Sequence, residues 1–334
     1  MCQYPARERV RGRRGVGLSA IRVSAPARLH LGFLDLSGSL NRRFGSIGLA
    51  IDAFATVVEL RPASTLVTCG VERGRAERLA RRFAEALKLA PVGELEVAEA
   101  IPAHAGLGSG TQLAIAIASA FRLFAGLPQD PLGDARLLDR GARSGVGAAL
   151  FERGGLVVDA GRAAHTDMPP VISHLPFPAD WRIILMLDPS LKGAHGEKER
   201  RAFAGLPPFP QSAAAEICRR LVMQVLPGAV ERDLAAFGEG VARIQERLGD
   251  HFAPAQGGGR FTSAAVGRVA RRLEALGARG IGQSSWGPTG FAFAADHDEA
   301  EFLARRADEC DEAVEIRIAR ATARGAEVSD ISEG

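Results

Sequence analysis

The chain has 334 residues, of which 46% are hydrophobic and 24% are charged, a balance typical of a globular protein with two domains. The formal net charge of +3 is too small for a dedicated nucleic-acid binder, and no stretch is long and apolar enough to predict a membrane span. The four cysteines form no CxxC pair, which argues against structural zinc and disulfides and favours a reducing cytoplasm.

The N-terminal third is predicted to be rich in β-strands. Residues 1–17 are rich in arginine but lack the apolar core of a secretory signal, so we expect a disordered basic tail there. Residues 21–36 are predicted to form a pair of strands, and residues 47–60 a second extended region. The turns between these regions are expected at Gly38, Asn41, Gly45 and Gly48.

The next elements form a predicted β-loop-α unit. Residues 76–89 carry apolar side chains at steps of four, which predicts an amphipathic helix. Residues 94–97 alternate between charged and apolar side chains, which indicates a strand. The stretch IPAHAGLGSGT, residues 101–111, follows that strand and leads directly into an apolar run over residues 113–124, a predicted helix.

The stretch IPAHAGLGSGT, called the glycine loop below, is the strongest functional signal in the chain. Its glycines let the backbone approach a ligand closely, and the first N–H groups of the following helix have no intrahelical acceptor. With the positive end of the helix dipole they predict an anion site, although a capped buried helix favours the same residue types. His104 lies at the lip of the loop, where it either donates to a phosphate oxygen or is simply solvated. The predicted phosphate contacts are Gly106, Leu107, Gly108, Ser109, Gly110 and Thr111.

The remaining elements divide into the end of a first domain and a second, α+β domain. A helix is predicted over residues 131–142, a turn over residues 143–147 and a strand over residues 155–159, near which the first domain closes. A buried strand over residues 182–187 opens the second half. The later predicted helices cover residues 213–226, 230–248, 264–276 and 299–307, and the later strands cover residues 291–294 and 314–318.

A long polar segment, residues 188–203, follows the strand that opens the second half. A loop of this length and polarity is usually functional or mobile, and it could close over a bis-phosphorylated substrate. A solvated loop of mixed charge is the alternative. Its charged candidates are Lys192, His195, Glu197, Lys198 and Arg200, of which Lys192 and Glu197 are retained as substrate-binding residues.

Three motifs in order along the chain resemble the GHMP kinase superfamily: PARLHLGFLDL at residues 26–36, the glycine loop, and GQSSWGPTGFAF at residues 282–293. The resemblance implies an α+β, GHMP kinase-like two-domain fold. Its N-terminal domain is expected to be ribosomal protein S5 domain 2-like and its C-terminal domain ferredoxin-like α+β, which we place at residues 18–165 and 175–325. It also implies a homodimer.

Two departures from the kinase pattern argue against phosphoryl transfer. Kinases of this superfamily commonly carry a catalytic aspartate in a Ser-Gly-x-Asp turn, but this chain has Ser144, Gly145, Val146 and then Gly147. The lysine usual in the first motif is replaced by Arg28, whose guanidinium does not readily deprotonate. A kinase would therefore need a substitute for the missing carboxylate, such as Asp159, and we do not expect ATP to be a substrate.

One branch of the superfamily that is not a kinase is more similar still: the β-ribofuranosylaminobenzene 5′-phosphate synthases. The similarity rests on the first motif, RRFGSIGLAI at residues 42–51, the glycine loop, and RSGVGAALFERGGLVVDAG at residues 143–161. It implies that phosphoribosyl pyrophosphate reacts with 4-aminobenzoate or 4-hydroxybenzoate in methanopterin biosynthesis, releasing CO2 and pyrophosphate, with Mg²⁺ and no organic cofactor. An ATP-dependent small-molecule kinase and a non-catalytic phosphate-ligand or polyanion binder remain the alternatives.

This resemblance also guides the choice of candidate residues outside the glycine loop. Arg28 and His30 lie two apart on a predicted strand and share a face, so with His104 they are the catalytic candidates, binding a phosphate or the benzoate carboxylate. Asp35 could hold Mg²⁺ through water, or simply form a turn. The further substrate-binding candidates are Arg42, Ser144, Ser285 and Trp286, the last by stacking on the aromatic substrate or, alternatively, as a core residue.

Overall fold

The computed structural model describes residues 20–193, 205–310 and 313–331. Its first sheet is built on two long antiparallel strands, β1 (Ile21–Asp35) and β2 (Arg42–Arg61). The predicted strand pair over residues 21–36 is wrong, because β1 bends through irregular pairing after Pro26 and His30 without breaking. A turn does form at residues 38–41, whereas Gly45 and Gly48 lie inside β2.

The first sheet has eight strands in the described part of the chain. One half of β2 pairs with β4 and the other half with β5, while β3 runs parallel to β4. The last strand, β12, pairs with β1, so the chain returns to the first sheet after completing the second. The remaining strands are β3 (Leu66–Gly70), β4 (Gly93–Glu99), β5 (Leu156–Asp159), β6 (Arg162–Ala163), β7 (Val171–Leu175) and β12 (Glu327–Asp330).

Four helices pack with this sheet: α1 (Arg73–Leu87), α2 (Ser109–Phe124), α3 (Pro131–Leu137) and α4 (Val146–Arg153). The amphipathic pattern of α1 is confirmed, since its apolar stripe lies in the core with α2. Every residue from 112 to 121 of α2 is buried, which explains its apolar sequence. The turn predicted over residues 143–147 forms only over residues 143–145, because Val146 and Gly147 already belong to α4.

The second sheet is four-stranded and antiparallel, in the order β11-β8-β10-β9. Its strands are β8 (Arg182–Leu187), β9 (Arg279–Gln283), β10 (Gly290–Ala294) and β11 (Glu315–Ala319). Its helices are α5 (Gln211–Arg220), α6 (Leu226–Glu231), α7 (Leu234–Phe252), α8 (Ala264–Ala275) and α9 (His297–Asp308). The predicted α+β class is confirmed. The domain limits at residues 165 and 175 stay predictions.

Helix α7 connects the two sheets, since it contacts both β9 and β1. The contact with β1 is close at Gly32, where a Cβ would lie 2.8 Å from Ile244 Cγ2. A pi-helical turn, Leu221–Val225, joins α5 to α6, whereas the predicted helix over residues 213–226 ends where α6 begins. Among the described residues, no helix has the length and apolar character that crossing a membrane requires.

Candidate active site

The three sequence motifs meet at the carbonyl oxygen of Gly106. This oxygen accepts a hydrogen bond from Arg28 Nη1 at 3.2 Å and another from the Ser284 hydroxyl at 2.8 Å. The same hydroxyl accepts from the backbone N–H of His30 at 3.0 Å. Strand β1, the glycine loop and the late glycine-rich motif therefore form one connected unit between the two sheets.

Glycine is required where the loop and the late motif touch. Gly106 has a φ of 85°, and a Cβ placed on it would lie 2.2 Å from the carbonyl oxygen of Ser284. A Cβ on Gly287 would lie equally close, at 2.2 Å, to the carbonyl oxygen of Ala105. These distances are far below van der Waals contact, so the two backbones can lie together only without side chains.

The start of α2 has the geometry expected of an anion site. Gly108 caps the helix in the left-handed conformation, with a φ of 85°. Its carbonyl oxygen accepts from the N–H groups of Thr111 and Gln112, both at 3.1 Å. The N–H groups of Ser109 and Gly110 precede these first bonds and lie at the positive end of the helix dipole.

Two arginines that sequence reasoning missed lie beside this helix start. A Cβ placed on Gly110 would lie 2.7 Å from Arg75 Nη2 and 3.5 Å from Arg140 Nη1. Partial burial, together with the charges of Arg75 and Arg82, lowers the pKa of Arg140. Across the described ranges, no carboxylate lies within 4 Å of the Arg140 guanidinium, while Arg75 is 3.7 Å from Glu72. The result is a positive potential around the loop that favours an anion.

The first turn of α4 faces the first turn of α2. Gln112 Nε2 donates to the carbonyl oxygen of Gly147 at 3.0 Å. A Cβ placed on Gly147 would lie 3.0 Å from Thr111 Cγ2, so the Thr111 methyl group occupies the space beside this position. Where the kinase pattern has an aspartate, this chain therefore has a glycine and little room for a carboxylate.

Asp159 does not substitute for that aspartate, because its oxygens already cap α4. The residue is fully buried, and its carboxylate accepts from the N–H groups of Gly145 and Gly161, both at 2.8 Å. Ser144 Oγ lies 3.5 Å from the same carboxylate. Burial raises the pKa of Asp159 to about 6, although these N–H groups act in the opposite direction. The cap explains why the residues after Arg143 turn into a helix.

A small cavity lies beside His30, which is 3% exposed. Burial, and then the charges of Arg28 and Arg143, lower the pKa of His30 to about 3, so the imidazole is neutral. Its Nε2 atom is buried and has no hydrogen-bond partner in the described part of the chain. The cavity has a volume of about 20 Å³. Its other lining residues include Phe33, Gln245, Leu248, Phe252, Gln283 and Ser285.

The polar segment begins next to the glycine loop. The carbonyl oxygen of His104 accepts from the N–H of Gly193 at 2.8 Å, and His104 has a left-handed φ of 60°. Lys192 is exposed beside this contact. Glu197, with His195, Lys198 and Arg200, lies outside the described residues, so the predicted lid stays a prediction.

The remaining candidates have partners that do not depend on a ligand. Arg42 Nη1 donates to the carbonyl oxygen of Gly161 at 2.9 Å. Asp35 Oδ1 accepts from both the N–H and the hydroxyl of Ser37, at 2.7 and 2.6 Å, as in an ordinary turn. Trp286 is 5% exposed and packs edge-on against Phe252, with ring centroids 5.0 Å apart, as a core residue does.

The sequence matches both family models and individual relatives. Family models described as "GHMP kinases N terminal domain" and "GHMP kinases C terminal" match residues 74–156 and 225–312. A β-ribofuranosylphenol 5′-phosphate synthase of Archaeoglobus fulgidus is 36% identical over 288 residues, covering 81% of this chain and 87% of the relative. The corresponding synthase of Methanothermobacter thermautotrophicus is 31% identical over 288 residues, covering 80% and 86%.

Solved structures with the same fold include kinases and a mevalonate diphosphate decarboxylase from Enterococcus faecalis, which has a TM-score of 0.63 at 17% identity and covers 93% of this chain and 99% of that chain. A homoserine kinase from Cytophaga hutchinsonii has a TM-score of 0.67 at 18% identity, covering 96% of this chain and 100% of that chain. A galactokinase from Lactococcus lactis, complexed with galactose, has a TM-score of 0.68 at 15% identity, covering 92% and 95%. At these identities the likeness shows the shared fold alone.

Proposed function

Since the chain belongs to the β-ribofuranosylphenol 5′-phosphate synthase family, within the GHMP kinase superfamily, we propose that it transfers a phosphoribosyl group to an aromatic acid with loss of CO2. The proposed donor is phosphoribosyl pyrophosphate, and the proposed acceptor is 4-hydroxybenzoate or 4-aminobenzoate. The product would be a β-C-riboside 5′-phosphate for tetrahydromethanopterin biosynthesis.

The close approach of Gly147 to Thr111 is the main observation that favours phosphoribosyl transfer over an ATP-dependent kinase reaction. Kinases of this superfamily commonly use a carboxylate beside the phosphate loop, where it can accept the proton of an alcohol. At this position the chain has no side chain, and the neighbouring Asp159 is enclosed by backbone donors. Phosphoribosyl transfer to a ring carbon has no alcohol proton to remove, so it does not need that base.

The cationic surroundings of the glycine loop support a donor with two separated phosphate groups. The N–H groups at the start of α2 suit one phosphate, and the guanidinium groups of Arg75 and Arg140 suit another nearby. Arg28 adds a third cation while it also orients Gly106. We propose that the pyrophosphate binds one of these sets of groups and the 5′-phosphate binds the other.

The proposed reaction needs positioning more than a nucleophilic side chain. The bond between the anomeric carbon and pyrophosphate breaks, and the ring carbon that bears the carboxylate attacks the opposite face, which inverts α to β. The carboxylate then leaves as CO2, and its electron pair restores the aromatic ring. The protein would hold the anions in place, orient the two carbons and exclude water from the reactive centre.

Mg²⁺ stays a proposal that this site does not itself support. Among the described residues, no group of three or more His, Cys, Asp or Glu side chains could hold a metal ion. Asp35 uses Oδ1 in its own turn. The described residues therefore do not fit a protein-built magnesium site, and we assign no step to the metal. An ion that accompanies the pyrophosphate would keep most of its ligands as phosphate oxygens and water.

The test is release of labelled CO2. The purified full chain is mixed with Mg²⁺, phosphoribosyl pyrophosphate and 4-hydroxybenzoate or 4-aminobenzoate labelled at the carboxyl carbon. We expect labelled CO2 in amounts equal to pyrophosphate. No release from either acid contradicts the proposal; ATP consumption with an alcohol would then favour the kinase, and donor binding without turnover the non-catalytic binder.

We also propose a homodimer, from family resemblance, and a cytoplasmic location, from the absence of a CxxC pair among the four cysteines. Light scattering coupled to size-exclusion chromatography gives the mass in solution directly. A mass near 35.2 kDa, that of one chain, would contradict the dimer.

A further inference from the structure

His30 lines a small cavity and carries a buried polar atom, Nε2, that the proposed donor site leaves unused. His30 Nε2 is buried, and no residue that the structure describes forms a hydrogen bond with it. A buried polar group without a partner costs free energy, which a bound group that completes the hydrogen bond would recover. Because His30 lines this cavity, its Nε2 atom is a candidate to bind a small polar ligand group there.

The chemical state of His30 restricts what that group can be. The ring is neutral and forms a hydrogen bond with the backbone of His30 itself. With Nε2 lacking a partner, that bond belongs to Nδ1 as the donor, which leaves Nε2 as an acceptor. An acceptor on a neutral ring suits an O–H or N–H group and repels a carboxylate or phosphate. The sequence-based expectation of an anion at His30 therefore does not suit this pocket.

The size and walls of the cavity suit one substituent of an aromatic ring. Its volume of about 20 Å³ is room for one water-sized group, such as a hydroxyl or an amino group. Phe33 and Phe252 provide apolar surface beside it. The polar wall is held in place by Gln245, whose Oε1 accepts from the N–H of Gln283 at 2.8 Å.

The cavity beside His30 offers no free cation to bind the carboxylate of an aromatic acid among the described residues that line it. Arg260 lines the cavity, but its guanidinium already forms ion pairs with Asp250 at 2.6 Å and with Glu246 at 3.2 Å. A carboxylate would fit better toward the glycine loop, which is two hydrogen bonds away from His30 through Ser284. This orientation also points the carbon that bears the carboxylate at the proposed donor.

We propose that this cavity receives the para hydroxyl or amino group of the aromatic acid, which donates a hydrogen bond to His30 Nε2. The inference rests on the proposed function and deepens it. When the ring carbon forms its bond to the anomeric carbon and pyrophosphate leaves, positive charge develops on the para substituent. The hydrogen bond to His30 stabilises that charge until CO2 departs and its electron pair returns to the ring. The substituent keeps its proton in this sequence.

Binding measurements on the full chain test the contact. Calorimetry compares 4-hydroxybenzoate with benzoate, which lacks the para group, for the unmodified protein, for His30→Phe and for His297→Gln, a control at an exposed histidine. We expect the unmodified protein and the control to prefer 4-hydroxybenzoate by roughly three- to tenfold, the value of one hydrogen bond, and His30→Phe to show no preference. A preference that survives in folded His30→Phe overturns the proposal.

A spectroscopic measurement keeps the proposal testable if His30→Phe does not fold. The ¹⁵N resonance of His30 Nε2 in the unmodified protein should shift when 4-hydroxybenzoate is added, and not when benzoate is added. An unshifted resonance at saturating 4-hydroxybenzoate overturns the proposal. The CO2 assay on the same preparation separates the two claims. Release of CO2 with an unshifted resonance contradicts the pocket alone, whereas no release from either acid contradicts the proposed function.

Discussion

The hydroxyl of Ser284 donates to the carbonyl oxygen of Gly106 at 2.8 Å across 178 residues of sequence. The same hydroxyl satisfies the buried N–H of His30. One side chain of the second half of the chain therefore positions both the glycine loop and the strand beside it.

Replacing Ser284 by alanine should lower the free energy of unfolding by about 1–3 kcal/mol, because it leaves the buried N–H of His30 without a partner. The Michaelis constant for the donor should rise as well, since Gly106 loses one of its two donors. Urea unfolding and steady-state kinetics measure the two effects. Ser329→Ala, at an exposed position of β12, is the matched control. An unchanged unfolding midpoint in Ser284→Ala would show that the bond contributes nothing.

Replacing Arg140 by glutamine should weaken donor binding about tenfold or more, the value of one charge-assisted hydrogen bond. Its stability should not fall, because a partly buried cation with no carboxylate within 4 Å in the described chain is removed. Arg78→Gln, on the exposed face of α1, should change neither property. Calorimetric titration with phosphoribosyl pyrophosphate and thermal unfolding provide both values. Normal donor affinity in Arg140→Gln would remove this arginine from the donor site.

Replacing Gly147 by aspartate should not produce a kinase; it should instead destabilise the fold by about 1–3 kcal/mol through contact with the Thr111 methyl group. The double variant Gly147→Asp with Thr111→Ser removes that methyl group and should recover part of the loss. The free energies of unfolding of Gly147→Asp, Thr111→Ser and the double variant, measured with denaturant, form a double-mutant cycle with the unmodified protein. Additive effects in this cycle would mean that the two positions do not meet.

The neutral state of His30 predicts sensitivity to acid. Folding lowers the pKa of His30 from its ordinary value of 6.5 to about 3, so between these values the unfolded chain binds a proton that the folded chain does not. Stability from this group is complete above pH 6.5 and falls as the pH drops toward 3, by up to about 1.4 kcal/mol per unit. Unfolding free energies measured in this interval should fall less steeply for His30→Phe. An identical slope would contradict a buried neutral imidazole.

The titration of Asp159 should change the stability with pH in the opposite direction to that of His30. Its pKa is raised from 3.8 to about 6, so the folded protein binds a proton in this interval before the unfolded chain does. Its contribution is fully present below pH 3.8 and is lost as the pH rises toward 6. Asp159→Asn removes the titration, so the difference in unfolding free energy between this variant and the unmodified protein should vary with pH there. A constant difference would contradict the raised pKa.

Local patterns predicted the parts of the molecule that depend on neighbours in sequence. The stripe of α1, the apolar run of α2 and the glycine loop follow from spacing and residue type, and the structure contains all three. The turn predicted over residues 143–147 is shorter than expected, because Asp159 caps α4 at Gly145 and no local pattern connects that carboxylate to this position. The continuous β1 was missed because its bends come from pairing with β2.

The candidate site was predictable only where a motif marked it. Arg75 lies on α1 and Arg140 follows α3, and only the packing of these two elements brings the two side chains to Gly110. Gln245, which lines the same cavity as His30, is likewise unmarked, since it lies on α7. A motif records a backbone shape that needs special residues, whereas these side chains reach the site from unremarkable positions.

Because β12 pairs with β1, the first sheet cannot be completed until late in the synthesis of the chain. Val328 lies opposite Val23, so this edge of the first sheet has no partner until residues near 330 have left the ribosome. Before that moment β1 presents an open edge, which is a template for unwanted association. A fragment that stops before β12 should therefore aggregate even though it contains the glycine loop, Arg75, Arg140 and His30. An early strand of this sheet is thus completed by one that is made about 300 residues later.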